Sequence, residues 1–137
     1  MIRTNRHVGR LIEVRFVSPI SDDDLTQWAT MRLQMRGDVT ERLVCMDVTR
    51  MSVLPPAISE RLLEGLRAPT PGLIRRAFLL PPKRGVVALQ IERLSREALV
   101  PTRAFVDRAG LIAWLCETAT SEEAARLRAF LMENPTT

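Results

Sequence analysis

At 137 residues, 46 % hydrophobic and 26 % charged, the chain has the size and balance of one ordinary folded domain with a real core, which excludes a disordered segment. No apolar run approaches the roughly 18–20 residues that cross a bilayer, and the charged start, Met1 to His7, is followed by no apolar stretch of the secretory kind. The net charge of +4 favours anionic partners, but the basic residues are scattered and tyrosine is absent, so no basic-aromatic platform for nucleic acid is present.

Ile2 to Arg6 reads as a short edge strand and His7-Val8-Gly9 as a turn. Ile12, Val14 and Phe16 then alternate with Glu13 and Arg15, the period of a strand with one face on the core. Pro19 ends it. Ser21 is a good N-cap, and Asp22, Asp23 and Asp24 suit the positive end of a helix dipole. Leu25, Trp28, Met31 and Met35 recur at helical spacing, and Gly37 supplies the stop.

Leu43-Val44-Cys45-Met46-Asp47-Val48 is apolar at five positions of six, as expected of a central strand covered on both faces. The strand is expected over 42–48, with a loop from Thr49 to Pro56. Pro55-Pro56 opens a helix whose first turn needs no N–H groups; Ile58, Leu62 and Leu66 give it a core face. Pro69-Thr70-Pro71-Gly72 breaks it. Ile74 to Leu80 reads as another buried strand, and Pro81-Pro82-Lys83-Arg84-Gly85 as the loop at its carboxyl end. Val87, Ile91, Leu94 and Ala98 form the stripe of the next helix. Thr102 to Asp107 is a short last strand. Leu111, Ile112 and Leu115 mark a helix from about Arg108, and Ser121-Glu122-Glu123 caps a terminal helix carrying Leu127, Phe130 and Leu131, ended by Asn134-Pro135.

After a hairpin, strands and helices alternate, which means a mixed α/β sheet of four or five strands with parallel neighbours and covering helices. No linker or repeat divides it, so residues 1–137 are expected to form a single domain.

Motifs for chemistry are sparse. There is neither a Gly-rich phosphate loop nor a dinucleotide fingerprint. The lone His7 supports neither zinc nor a catalytic triad. Cys45 on a central strand lacks the exposed electropositive setting of a nucleophile, and it and Cys116 read as reduced core residues. The best-placed carboxylates, Asp47 and Asp107, lie at carboxyl ends of strands, where capping is the expected role. The chain is read as a non-enzyme, with no catalytic residue, metal or cofactor assigned.

The order of elements resembles the SpoIIAA-like fold shared by STAS domains, and particularly the small bacterial STAS/SEC14-type proteins. The likeness is carried by Leu43-Val44-Cys45-Met46-Asp47-Val48, by Arg76-Ala77-Phe78-Leu79-Leu80 with its loop and helix, and by Thr102 to Asp107 running into Ala109-Gly110-Leu111-Ile112-Ala113-Trp114-Leu115. In anti-sigma-factor antagonists of that group, a Ser or Thr at the start of the helix after the central strand takes a phosphate that switches partner binding. Here Pro55, Pro56 and Ala57 occupy that place, leaving Ser59 or Ser52 as fallback acceptors. The SEC14 side of the resemblance implies a relative that holds lipids or other apolar ligands.

The first expectation is a cytoplasmic regulatory or scaffolding module that binds a protein partner through strand-end loops. Thr49, Arg50, Met51, Ser52, Val53, Leu54, Lys83 and Arg84 form the surface, an arginine and apolar mix typical of interfaces. Self-association as a homodimer fits the same reading. The second is a carrier or sensor of a small apolar or anionic ligand, with Asp47, Arg50 and Arg84 at its pocket. The third is an enzyme with an unrecognised carboxylate site.

Overall fold

The computed structural model describes residues 1–6, 9–34, 41–52, 54–68, 72–83, 85–98 and 101–132. Helix and strand alternate as expected: β1 (Ile2–Arg6), β2 (Leu11–Val17), α1 (Asp22–Gln34), β3 (Arg42–Arg50), α2 (Pro56–Arg67), β4 (Leu73–Leu79), α3 (Val86–Glu97), β5 (Thr102–Phe105), α4 (Arg108–Leu115), a 3₁₀ turn (Cys116–Thr118) and α5 (Ser121–Met132). The five strands lie side by side in sequence order. β1 and β2 are antiparallel and every later pair is parallel, with Leu11 beside Leu43, Val44 beside Arg76 and Phe78 beside Ala104. This is the mixed α/β sheet that the alternation implies.

Because the sheet is laid down in one direction, crossovers of a single hand place α1, α2 and α3 on one face. There Ile12, Val14, Phe16, Val44, Met46, Val48, Phe78 and Leu80 pack under Leu25 and Trp28 of α1, Leu62 and Leu66 of α2, and Ala88, Ile91 and Leu94 of α3. Each buried Leu or Ile side chain contributes about 1.5–3 kcal/mol. The other face is covered by the two helices that follow the last strand. Leu11, Leu43, Cys45, Ala77 and Leu79 lie under Leu111 and Leu115 of α4 and Leu127, Phe130 and Leu131 of α5. β3 is therefore sandwiched, the reason it is apolar at successive positions.

Three expectations are corrected. The alternation in β2 marks one face on the core, yet both faces are covered: Glu13 is 0 % and Arg15 2 % exposed. The Arg15 guanidinium survives burial because Nη2 donates to the Phe130 carbonyl at 2.6 Å, the group lies 4.3 Å from the Phe130 ring centroid, and Nε stands 3.7 Å from Asp47 Oδ2. The central strand runs on to Arg50, so Thr49 and Arg50 belong to β3 and not to the loop. A register shift between Arg15 and Val17 lets Val17 pair with Arg50, and the Ser18 N–H reaches the Arg50 carbonyl at 3.2 Å. Finally, α5 is capped by Thr120. Its hydroxyl accepts from the Glu123 N–H at 3.2 Å, and Glu123 Oε1 accepts from the Thr120 N–H at 2.8 Å, a reciprocal capping box.

Ser21 and Asp24 form the same reciprocal pair at the start of α1, at 2.9 and 3.1 Å. The expected stops at Gly37 and Asn134-Pro135, the break at Pro69-Thr70-Pro71, and Met35 lie outside the described residues, as does His7. Beneath α2, the buried Arg76 donates to the Leu66 carbonyl at 2.9 Å, satisfying an open helix-end acceptor. Burial, with the charge of Arg32 adding, brings the Arg76 pKa down to about 10.

Candidate functional site

β3 and β4 are parallel neighbours, so the segments after them open onto one edge of the sheet. On the first, Thr49 is half-buried and Arg50 exposed. Met51 turns back into the core, its N–H donating to the Val48 carbonyl at 3.1 Å. Ser52 is exposed, with its N–H on Ser18 Oγ at 2.9 Å. Leu54 is half-buried against the α1–α3 side of the core. On the second, Lys83 is exposed. Val53 and Arg84 lie outside the described residues.

Asp47 serves β3 itself. Its Oδ1 accepts from the Thr49 N–H at 2.9 Å and the Thr49 hydroxyl at 2.6 Å, and its Oδ2 faces Arg15. The carboxylate thus points to the sheet face that α5 covers, while Arg50 is exposed at the strand end. Asp107 is the N-cap of α4, accepting from the Gly110 N–H at 2.7 Å. Burial, with the charges of Asp47 and Glu13 adding, pushes the Cys45 thiol well above its ordinary value. Both cysteines are free thiols. Among the described residues no cluster of three His, Cys, Asp or Glu side chains could hold a metal ion.

The helices that follow the two strand-end segments have a groove between them. α2 starts at Pro56, just past Leu54, and α3 starts at Val86, just past the Lys83 loop. Between the helices lies a hollow of about 530 Å³. Leu54, Pro56, Leu63, Val86 and Val87 supply its apolar surface, and Glu60, Glu64 and Arg67 of α2 its charge. Ser59 Oγ reaches across to Gln90 Oε1 of α3 at 3.4 Å. Val86 is 61 % and Leu89 58 % exposed, two large apolar residues on the first turn of α3 that the core does not use.

Of the expected surface residues, the structure brings Leu54 to the groove and leaves Thr49, Arg50 and Ser52 at the strand end beyond it. Of the fallback acceptors, Ser59 lines the groove and Ser52 does not. Sequence reasoning missed Glu60, Leu63, Glu64, Val86 and Gln90. A signal was there: Val86 and Leu89, three residues apart on one helix, both fall off the Val87–Ile91–Leu94 core stripe, and it is neighbouring rather than single exposed apolar residues that mark an interaction surface.

A second hollow, of about 360 Å³, separates α3 from β5 and is lined by Glu92, Ser95, Arg96, Thr102, Arg103 and Ala104. Nearby, Trp114 of α4 lies 4.9 Å from the Arg75 guanidinium and 5.7 Å from that of Arg103. Among the described residues no helix is long and apolar enough to cross a membrane.

This architecture recurs in a solved structure, an uncharacterized protein of the DUF3478 family with a SpoIIAA-like fold from Shewanella loihica PV-4. The two share 17 % sequence identity at a TM-score of 0.61, over 85 % of this chain and 93 % of the other. The fold is SpoIIAA-like. At that identity the likeness carries the fold alone. No known family profile matches the chain, and no curated protein matches it. In this SpoIIAA-like frame the α2–α3 groove opens at the carboxyl ends of parallel strands, the edge where open α/β sheets gather their sites.

Proposed function

We propose that the chain is a non-enzymatic, cytoplasmic regulatory or scaffolding module of SpoIIAA-like fold that binds a protein partner in the groove between α2 and α3. The observation that carries this reading is the exposed apolar pair Val86 and Leu89 beside a groove floored by Leu54, Leu63 and Val87. Exposed apolar surface next to a shaped hollow is the composition of an interface centre. The non-enzymatic part is supported by how the reactive groups are spent. Asp107 caps a helix, Asp47 holds Thr49 and Arg15, and the Cys45 thiol is held protonated.

The test is photo-crosslinking in the cells that make the protein. A photoreactive residue at Leu89 yields a discrete adduct with a partner protein, whereas one at the exposed Ala129, on the helix covering the opposite sheet face, does not. Val86→Asp removes the adduct while leaving the fold intact, since an acid suits the first turn of α3. Equal labelling from both positions, or an adduct indifferent to Val86→Asp, overturns the reading.

A phospho-regulated version of the same module is supported by Ser59, whose hydroxyl lines the groove. A phosphate there adds a dianion beside Glu60 and Glu64. Ser59→Asp then changes adduct yield from Leu89, and an unchanged yield removes this version.

A further inference from the structure

The charge around the groove is arranged unlike that of the surrounding surface. Elsewhere most of the described acids are matched, among them Asp22 to Arg61, Glu41 and Glu123 to Arg10, Glu97 to Arg93, and Glu117 to Arg75. Asp23 and Glu122, which are not, stand in the first turns of α1 and α5, where the helix dipole favours an acid. Glu60 and Glu64 line the groove one helical turn apart, and among the described residues neither carboxylate has an ion-pair or hydrogen-bond partner. This arrangement costs the free protein stability. Like charges at i and i+4 repel by a few tenths of a kcal/mol, and Glu64 stands toward the carboxyl end of α2, where the helix dipole disfavours an acid. Arg67, at the last turn, is the one cation lining the groove among the described residues. A chain of net charge +4 thus keeps a negative strip beside its exposed apolar pair.

Resting on the groove as the partner surface, we infer that its occupant is an amphipathic helix of another protein, with Lys or Arg flanking its apolar face. The groove runs between two helices of 12 residues each, so it offers about 18 Å of contact, some three turns of a docked helix. The apolar side chains of the occupant cover Val86, Leu89 and Leu63, and its cations meet Glu60 and Glu64. A second copy of this chain is a poor occupant. The apolar faces of α1, α2, α4 and α5 are spent on the sheet, and of the apolar pair left over on α3, Val86 lines the groove and Leu89 follows three residues on. Anionic lipid headgroups are repelled by the two glutamates.

The experiment uses the full chain, isotope-labelled for NMR, and two model peptides of about fourteen residues. Both carry the same leucine face; the polar face of one is lysine and of the other glutamate. Because the whole chain is positive, long-range attraction alone favours the glutamate peptide. The inference requires the opposite. The lysine peptide binds about tenfold tighter, the order of effect that complementary charge pairs give, and its shifts centre on Leu54, Leu63, Val86 and Gln90. The double variant Glu60→Gln/Glu64→Gln removes most of that preference. Groove shifts with equal affinities, or with the glutamate peptide preferred, overturn the basic partner and leave the groove as a partner surface. Shifts from both peptides centred elsewhere and indifferent to Val86→Asp, or no binding at all, overturn both readings.

Discussion

The carboxylate of Glu123, only 2 % exposed, accepts a hydrogen bond from the backbone N–H of Arg10 at 2.7 Å, joining α5 to the start of β2 across 113 residues of sequence. The same side chain closes the capping box with Thr120 and lies 3.3 Å from the Arg10 guanidinium, which also donates to the Thr118 carbonyl. Gly9, at φ +63°, leaves the space: a Cβ there would stand 2.6 Å from Glu123 Oε2. Glu123→Ala strands two backbone donors and is expected to cost about 2–4 kcal/mol, the sum of a lost cap and a charged hydrogen bond. Glu123→Gln keeps an acceptor oxygen and costs about half as much. Urea denaturation reads both, and equal midpoints for Glu123→Ala and the parent would sink the assignment.

Stability should also fall in acid, with Glu123 as one source. Burial pushes its carboxyl up, but the Thr120 and Arg10 N–H groups and the Arg10 guanidinium outweigh this and hold it below its ordinary value of 4.5. Asp24 is likewise held below 3.8, chiefly by the Ser21 N–H. A depressed folded pKa means that the unfolded chain binds more protons. The stabilisation is complete above about pH 5 and is lost as pH falls through the folded value. Unfolding midpoints measured from pH 7 down to about pH 3 should hold and then drop, and the drop should be shallower in Glu123→Gln. An identical acid slope in that variant contradicts the assignment.

How far the sequence could be read depended on distance along the chain. The apolar run from Leu43 to Val48 already spoke of a sandwiched strand, because only cover on both faces permits it. The local cap at Ser21 was equally plain. Glu13 and Arg15 were not, since alternation looks the same whether the polar face meets water or lies under a helix. Arg15 finds the Phe130 carbonyl 115 residues away, and nothing near residue 15 announces it. The groove was half visible. Leu54 fell within the suspected stretch and Ser59 was singled out as a fallback phosphoacceptor, but the opposing Val86 and Gln90 come from a separate helix, and only the parallel pairing of β3 and β4 brings the two starts together.

Gly65 tests the packing of α1 on α2. A glycine inside a helix costs about 1 kcal/mol relative to alanine, so Gly65→Ala would ordinarily stabilise. Here a Cβ would stand 2.7 Å from Trp28 Cζ3. Trp28 is buried and set edge-on to Phe16, ring centroids 5.4 Å apart, so it has little room to retreat. Overpacking of this kind costs about 1–3 kcal/mol. The expected net change is a loss of about 1 kcal/mol in denaturant titration; a gain would show that Trp28 can move aside.

The charged layer between β2, β3 and α5 allows the sharpest contrast. Arg15 and Asp47 are both buried, so removing the cation alone leaves Asp47 facing α5 without its counter-charge. Arg15→Met is expected to cost about 3–5 kcal/mol, as breaking one side of a buried pair does. Arg15→Lys keeps the charge but loses the planar contacts with the Phe130 ring and carbonyl, and falls in between. The exposed Arg61–Asp22 pair is the control: Arg61→Ala should cost less than about 1 kcal/mol, because solvent already screens it. Adding Asp47→Asn to Arg15→Met should recover part of the loss, since the amide oxygen still serves Thr49 while the stranded charge is gone. Urea midpoints for the five proteins decide it. If Arg15→Met costs no more than Arg61→Ala, the buried charges do not hold α5 to the sheet.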